Sequence, residues 1–392
     1  MTLPLNPDIA ETDAPPVMEA FRWLSQTTFS DDKPLINVSQ AAPALAPPDP
    51  LRQAMADIIL TDTSAHLYGP DLGLPDLRAE VATRTMSIYG GKVTDSQVAI
   101  TSGCNQAFAA AMITLARAGD EVILPTPWYF NHKMWLDLNG AKAVPLATGD
   151  DLLPDPEQAA ALITDRTRAL VLVTPNNPGG VEYPADLVQA FYDLAKSRGL
   201  ALIVDETYRD FHSQSGAPHD LFADPDWAET LIHLYSFSKA YRLTGHRVGA
   251  MIASQSQLAQ VEKYIDSTTI CPNQLGQRAA LWGMRNLDQW LAGERAEILD
   301  RRAAISAVLT GLDGWRLKGC GAYFAYVDTP FTQPSAEIAR TLLRQQGVLA
   351  LPGSMFTPPG DPAGAHALRI AFANIDRTGI DQLGQRLRNL TL

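Results

Sequence analysis

The chain has 392 residues, enough for two or three domains, and its 46% hydrophobic and 19% charged residues are typical of a soluble globular protein. Its formal net charge of −12 argues against nucleic acid as a partner, because phosphate binding requires a basic face. Three widely separated cysteines and seven histidines without a spaced ligand pair give no sign of a disulfide framework or a metal site.

The N-terminus and the apolar runs bear on the location of the protein. Residues 1–16 have neither a cationic start nor an apolar core, so we expect no secretory signal. No uninterrupted apolar run approaches about 18 residues, so we expect no membrane partner. The sequence therefore predicts a cytoplasmic protein.

The first fifty residues are rich in proline and are predicted to form an arm and the start of a small domain. A helix is expected at 17–26 and a strand at 35–38. Two further helices are predicted at about 49–60, where Asp49 caps the start and Pro50 takes the first helical position, and at 74–88, which Gly90 and Gly91 close.

From residue 97 onward, predicted strands and helices alternate. This alternation is typical of an α/β fold in which helices cover both faces of a mostly parallel sheet. Continuous apolar runs such as 169–173 and 201–205 fit strands that are buried on both faces. The seven predicted strands are 97–101, 120–124, 142–146, 168–174, 200–205, 230–236 and 247–252.

The C-terminal part returns to helices and then to a mixed pattern. Helices are predicted at 255–266, 274–284 and 287–311, the last long enough to join two domains. Beyond it, strands and helices indicate a smaller α+β domain that the N-terminal residues complete. We therefore predict an arm and the start of the small domain at 1–48, a large domain at 49–285, and an interdomain helix with the C-terminal small domain at 286–392.

The segment 231–248 supplies the most informative residue, Lys239. An apolar strand ends here in a polar loop, which places the lysine at the edge where open α/β sheets bind ligands. A primary amine in a partly dry site can form imines, and Ser236, Ser238 and Arg247 offer hydroxyls and a cation to an anionic partner. A lone lysine in such a loop is more often an ordinary surface residue, so other segments must support this interpretation.

Two other strands end in residues suited to an anion and to a ring. Ser102, Gly103 and Cys104 stand at a helix start, where backbone amides bind phosphate. Tyr129 follows the next strand, and its ring could lie flat on a planar ligand. A plain helix cap and a core aromatic are the ordinary alternatives.

The two remaining strands end in an amide and an acid. Asn177 lies in a turn made rigid by prolines and glycines and is a candidate donor to an oxygen. Asp205 ends a buried strand and therefore needs a cationic or N–H partner. A phosphate cradle, a ring stacker, an oxygen donor, a carboxylate and an amine at one edge together match pyridoxal 5'-phosphate (PLP).

With these residues in place, the sequence resembles the class I/II aminotransferases, the aspartate aminotransferase superfamily of fold-type I PLP enzymes. The resemblance covers nearly the whole chain. Its motifs are Tyr68-Gly69-Pro70, Gly73-Leu74-Pro75, Ser102-Gly103, Asn177-Pro178, Asp205-Glu206 with Tyr208, Ser236-x-Ser238-Lys239 with Arg247, Pro352-Gly353, and Arg369.

The resemblance implies the roles of the cofactor-binding residues. PLP would be bound covalently to Lys239 as the internal aldimine, and this lysine would later move a proton between the substrate Cα and the cofactor. Asp205 would pair with the pyridinium nitrogen, Tyr208 and Asn177 would hold the phenolic oxygen, and Tyr129 would stack on the ring. The phosphate would be bound by Ser102, Gly103, Cys104, Ser236, Ser238 and Arg247.

The resemblance also implies the substrate site and a partner subunit. Arg369 would clamp the α-carboxylate, with Asn177, Ala41 and Tyr129 beside the substrate. Tyr68 would reach the phosphate of a neighbouring subunit, so a homodimer is implied. Ala41 and Ala42 stand where the family usually has a glycine-bearing loop.

The implied reaction is transfer of the amino group of an α-amino acid to a 2-oxo acid by a ping-pong mechanism. A PLP-dependent C–S β-lyase and a lyase similar to aminocyclopropane-carboxylate synthase remain as alternatives. A ligand-sensing regulator would need a DNA-binding module ahead of the fold, which the acidic, proline-rich first fifty residues do not provide. The sequence does not specify the donor or the acceptor.

Overall fold

The N-terminal elements lead from an arm into the large domain. The structure, a computed structural model, describes residues 3–29 and 33–392. The short first helix was not predicted, whereas the next four elements lie close to their predicted positions. These elements are α1 (Pro7–Glu11), α2 (Pro16–Ser25), β1 (Ile36–Asn37), α3 (Asp49–Thr61) and α4 (Pro75–Tyr89).

Seven strands form the large sheet. They are β2 (Val98–Thr101), β3 (Glu121–Thr126), β4 (Lys142–Ala147), β5 (Thr167–Val173), β6 (Ala201–Asp205), β7 (Leu231–Ser236) and β8 (Gly249–Ile252). Their order is β2-β8-β7-β6-β5-β3-β4. Strand β8 runs antiparallel to both of its neighbours, and the other pairs are parallel. The predicted mostly parallel, seven-stranded sheet is therefore confirmed.

Helices cover both faces of this sheet. Along β6, Leu202 and Val204 belong to one apolar cluster and Ile203 to another, as expected for a strand whose side chains alternate between two buried faces. The helices that follow the strands are α5 (Cys104–Leu115), α6 (Phe130–Leu138), α7 (Pro156–Leu162), α8 (Ala185–Arg198), α9 (Phe237–Ala240), α10 (Gln255–Thr269), α11 (Gln274–Asn286) and α12 (Asp288–Thr310).

The remaining elements build the smaller domain. They are β9 (Arg316–Gly321), β10 (Phe324–Asp328), α13 (Ser335–Gln346), β11 (Val348–Leu349), β12 (Leu351–Pro352), α14 (Pro362–Ala365), β13 (Ala367–Ile370) and α15 (Arg377–Arg388). Strands β12, β13, β10 and β9 form a four-stranded antiparallel sheet in that order. Strand β9 was not predicted, because its sequence RLKGCG is neither continuously apolar nor alternating.

Both chain ends contribute to the small domain, as predicted. Strand β1 pairs in parallel with β11, with Ile36 opposite Val348. Ala20 and Trp23 lie in the same apolar cluster as residues from the C-terminal part of the chain. The residue boundaries at 48 and 285 stay a prediction.

Among residues 3–29 and 33–392, no helix is both long enough and apolar enough to cross a lipid bilayer.

Candidate active site

A cavity of about 700 Å³ opens at the carboxyl ends of β5, β6 and β7. Side chains that follow several different strands meet there, as expected for the ligand edge of an open α/β sheet. Ser102, Gly103 and Tyr68 are not among the lining residues. The predicted residues that line the cavity are Ala41, Cys104, Tyr129, Asn177, Asp205, Tyr208, Ser236, Ser238, Lys239, Arg247 and Arg369.

Lys239 lies in the short helix α9, directly after β7. Its amine donates a hydrogen bond to the carbonyl oxygen of Ala41 at 2.6 Å. Loss of hydration and the positive charges of Arg247 and Arg369 lower the pKa of this amine to about 7. About half of the amine is therefore unprotonated at neutral pH and able to act as a nucleophile.

Asp205 is buried at the end of β6, with 3% of its surface exposed. Its carboxylate lies 3.3 Å from His132 Nε2 and accepts hydrogen bonds from the backbone and the hydroxyl of Thr207 at 3.0 and 2.7 Å. Burial alone would raise the pKa of this carboxyl, but the contacts from His132 and Thr207 outweigh it and lower the pKa. Asp205 is thus held as a carboxylate facing the cavity.

His132 is a residue that sequence reasoning missed. It lies in the first turn of α6, buried, and its ring stacks on Phe108 at a centroid distance of 3.9 Å. The predicted need of Asp205 for an N–H partner was the available signal. The sequence did not reveal which of seven histidines would meet that need.

Arg247 faces the backbone at the start of α5. A β-carbon placed on Gly103 would overlap Arg247 Nη2, so a residue other than glycine would displace the guanidinium. Gly103 also adopts a φ of +86°, which favours glycine. Arg247 Nη1 donates to the carbonyl oxygen of Thr244 at 3.0 Å and lies 3.5 Å from the hydroxyl of Ser238. A cation, a hydroxyl and a helix N-terminus therefore meet at one end of the cavity.

Cys104 and Ser236 also line the cavity near Arg247. Burial raises the pKa of the Cys104 thiol well above its ordinary value, so the side chain is a neutral thiol. The hydroxyl of Ser236 accepts from the backbone N–H of Ser238 at 3.2 Å and caps α9. The backbone N–H of Ser102 is occupied differently, since it donates to the side chain of Gln106 at 2.6 Å.

Arg369 lines the same cavity from β13 of the smaller domain. It is 2% exposed, and its guanidinium lies 5.0 Å from the ring centroids of both Phe324 and Phe356. It donates to the carbonyl oxygen of Ser39 and, at 3.3 Å, to the side-chain oxygen of Asn177. Burial lowers its pKa to about 10, which leaves it charged at neutral pH. Within the described part of the chain its Nε has no hydrogen-bond partner.

Two tyrosines flank the space between these groups. Tyr208 is buried against Tyr323 and Phe324, and burial raises the pKa of its hydroxyl, so it is a neutral donor. The hydroxyl of Tyr129 donates to Asn105 at 3.3 Å and accepts from Asn131 at 2.8 Å, which fixes its ring at the cavity wall.

The loop that follows β1 closes the cavity from the small-domain side. Asn374 holds this loop, since it accepts from the backbone of Ala42 at 3.3 Å and donates to the carbonyl oxygen of Gln40. The position of Ala41 beside Lys239 follows from this anchor. Sequence reasoning placed Ala41 at the substrate but missed Asn374.

A second buried polar cluster lies behind Asp205. Glu206 accepts from the hydroxyl of Tyr89 and contacts His233 Nε2 at 2.6 Å, and His219 Nε2 lies 3.7 Å from its other oxygen. Glutamate and histidine can bind metals, but two of these groups already hydrogen-bond to each other. The cluster is therefore an internal hydrogen-bond network at the end of β6.

Comparisons with known proteins point to one family. Residues 33–387 match the family model of the aminotransferases of class I and II. The chain is 27% identical to the aromatic aminotransferase ISS1 of Arabidopsis thaliana, over 95% of this chain and 97% of that protein. It is 30% identical to the arginine–pyruvate transaminase AruH of Pseudomonas aeruginosa, over 93% of this chain and 94% of that protein.

Solved structures show the same fold. The aspartate aminotransferase of Thermus thermophilus with maleate gives a TM-score of 0.89 at 23% identity, over 99% of this chain and 100% of that one. The N-succinyldiaminopimelate aminotransferase of Mycobacterium tuberculosis gives a TM-score of 0.89 at 26% identity, with the same coverage. The chain thus belongs to the class I and II aminotransferases, a family of PLP-dependent transferases.

Proposed function

We propose that this enzyme binds PLP at Lys239 and transfers the amino group of an α-amino acid to a 2-oxo acid. The observation that carries the proposal is the meeting of Lys239, Asp205, Arg247 and Arg369 at one cavity. A nucleophilic amine, a carboxylate and two separate cations are the groups that such a cofactor and such a substrate require.

The residues present fit the cofactor. The charged end formed by Arg247, Ser238 and the start of α5 suits the phosphate, and Gly103 keeps this backbone open beside the guanidinium. Asp205 is a carboxylate, the form that attracts the protonated nitrogen of a pyridine ring. Asn177 and Tyr208 offer N–H and O–H donors to a phenolic oxygen.

When bound, PLP supplies an aldehyde that amines can attack and a ring that withdraws electrons from the substrate α-carbon. Residues of the chain supply the proton transfer and the charge stabilisation. Lys239, with its pKa near 7, can take up and return a proton at the substrate α-carbon close to neutral pH. Asp205 would offer its negative charge to the ring nitrogen, and the pKa-lowering contacts from His132 and Thr207 maintain that charge.

Arg369 supports both the substrate class and the order of events. Its unpartnered Nε and its two aromatic neighbours leave a desolvated, planar guanidinium that suits a carboxylate. Amino acids and 2-oxo acids share this carboxylate. A single clamp of this kind favours a ping-pong order, in which the donor leaves before the acceptor binds.

A homodimer forms part of the proposal. Tyr68 is 79% exposed on one protomer, together with the apolar side chains of Leu60 and Leu67. An exposed tyrosine with apolar neighbours is typical of an interface. We propose that Tyr68 contacts the phosphate bound by the partner subunit.

The test uses purified enzyme with PLP. Borohydride reduction should attach the cofactor to Lys239 irreversibly, as mass spectrometry of the peptide shows, and an amino acid alone should abolish the visible absorbance until a 2-oxo acid restores it. Lys239→Ala should lose both properties. Release of pyruvate and ammonia, without restoration by a 2-oxo acid, would instead identify a β-lyase.

A further inference from the structure

One wall of the cavity is apolar and comes from helix α2. Val17, Met18 and Phe21 line the cavity and lie within one helical turn, at spacings of three and four residues that share a face. Ala20 and Trp23 are buried in the small-domain core. The helix is therefore fixed to the small domain while part of its apolar surface faces the site.

This wall is open to an occupant. Met18 has 52% of its surface exposed, whereas Val17 and Phe21 are half-buried. Apolar surface left uncovered inside a binding cavity favours an apolar ligand group. A methionine is suited to this task, because its flexible thioether chain adapts to different shapes.

The charged residues that line the cavity include none that is free to pair with a charged group on the substrate side chain. Of the described residues that line it, four carry a charge: Asp205, Lys239, Arg247 and Arg369. Each of these has a task in the proposed function. The other polar side chains among the described lining residues are amides, hydroxyls and a neutral thiol, so the described lining of one protomer offers no further cation to a distal carboxylate and no further anion to a distal amine.

The N-terminal segment also borders the reacting groups. Arg369 donates to the carbonyl oxygen of Ser39, and Lys239 donates to that of Ala41. A substrate whose carboxylate meets Arg369 and whose amine faces Lys239 therefore lies beside this segment. Its side chain then has the apolar wall of α2 within the same cavity.

We propose that the amino donor is an α-amino acid with an uncharged, apolar side chain, and that Val17, Met18 and Phe21 form the subsite that contacts it. This inference rests on the proposed aminotransferase function. It names a class that spans aliphatic, thioether and aromatic side chains, and it excludes dicarboxylic and dibasic amino acids as preferred donors.

The first experiment measures the half-reaction of the PLP-loaded enzyme with single amino acids, followed by loss of visible absorbance. The second-order rate constant of the half-reaction should rise by about fourfold per methylene in the series alanine, 2-aminobutyrate, norvaline and norleucine. Norleucine should exceed aspartate, glutamate, lysine and arginine by at least about tenfold. Charged donors that react as fast as norleucine would overturn the inference and leave the proposed function intact. An enzyme that reacts with no amino acid would instead contradict the proposed function.

The second experiment places a cation on the wall. Met18→Arg should lower the half-reaction with norleucine by about tenfold and lower, abolish or reverse its advantage over glutamate. The matched control is Ser25→Arg, which adds the same charge at the exposed end of the same helix, away from the cavity lining. Equal donor profiles in the two variants, both with an intact visible band, would show that Met18 does not contact the donor.

Discussion

The amine of Lys239 donates to the carbonyl oxygen of Ala41 at 2.6 Å and so joins the end of β7 to the loop after β1. The same amine has a pKa lowered to about 7. The loop after β1 therefore holds the amine in place, and burial together with Arg247 of the large domain and Arg369 of the small domain lowers its pKa.

The pH dependence of cofactor capture follows from this pKa. The unprotonated fraction of the Lys239 amine should be about one tenth at pH 6, one half at pH 7 and nine tenths at pH 8. The rate at which cofactor-free enzyme forms its covalent PLP absorbance should rise with the same midpoint and level off above pH 8. Pyridoxine 5'-phosphate, which lacks the aldehyde, serves as the control for non-covalent binding. A midpoint near 10 would contradict the lowered pKa.

His132 should act as a positioning residue for Asp205. His132→Phe keeps a ring next to Phe108 but removes the nitrogen 3.3 Å from the carboxylate. Loss of this partner to a buried charge should lower the free energy of unfolding by about 1–3 kcal/mol in urea titrations and the half-reaction rate by about tenfold or more.

Two variants separate this role from a general loss of packing. His132→Gln retains an N–H donor and should recover part of the rate, because the carboxylate again has a partner. His366→Phe makes the same change at an exposed site, where it removes only a hydrogen bond with the carbonyl oxygen of Gln333 at 2.9 Å, so it should lower the free energy of unfolding by less than about 1 kcal/mol and leave the half-reaction rate unchanged. Equal rates in His132→Phe and the wild-type enzyme would remove His132 from the site.

Arg369 should determine affinity for the substrate carboxylate. Arg369→Lys keeps the charge but loses the planar fork, so the ratio kcat/KM should fall by about 100-fold while the visible PLP absorbance stays normal. Arg344→Lys, on the exposed side of α13, is the matched control. A change confined to PLP binding would show that Arg369 contacts the cofactor instead.

Mixed dimers test the position of Tyr68. A hybrid of one Tyr68→Ala subunit and one Lys239→Ala subunit, purified with two different tags, should regain about half of the wild-type activity, because one of its two sites then contains neither substitution. Each parent variant alone should be weakly active. If Tyr68 served its own subunit, both sites of the hybrid would be defective and no activity would return.

Much of the large domain could be predicted because each of its buried strands corresponds to a short apolar run in the sequence. The apolar runs that end at Asp205 and Ser236 gave both the strand positions and the edge at which the next side chains meet. The antiparallel direction of β8 could not be predicted in this way, because the apolar pattern of a buried strand does not depend on the direction in which the strand runs.

The parts of the site that were not predicted depend on contacts between residues far apart in the sequence. His132, Ser39 and Asn374 act on the cavity through partners far away in sequence, and two of these contacts use backbone carbonyl oxygens that no residue type announces. The sequence indicates only that the apolar residues of α2 form one side of a short amphipathic helix. Their position at the cavity depends on how α2 packs in the small domain.

The pairing of β1 with β11 also affects the order in which the two domains can fold during translation. The strands of the large sheet end at Ile252, whereas Arg369 and its partner Ser39 lie 330 residues apart. Because domains generally fold as units while the chain emerges from the ribosome, the large sheet can form while residues 36 and 37 still await their partner strand. Arg369, which we propose binds the substrate carboxylate, thus joins the cavity after the large sheet has been able to form. A nascent chain stalled before β11 would already contain Lys239 but would lack Arg369.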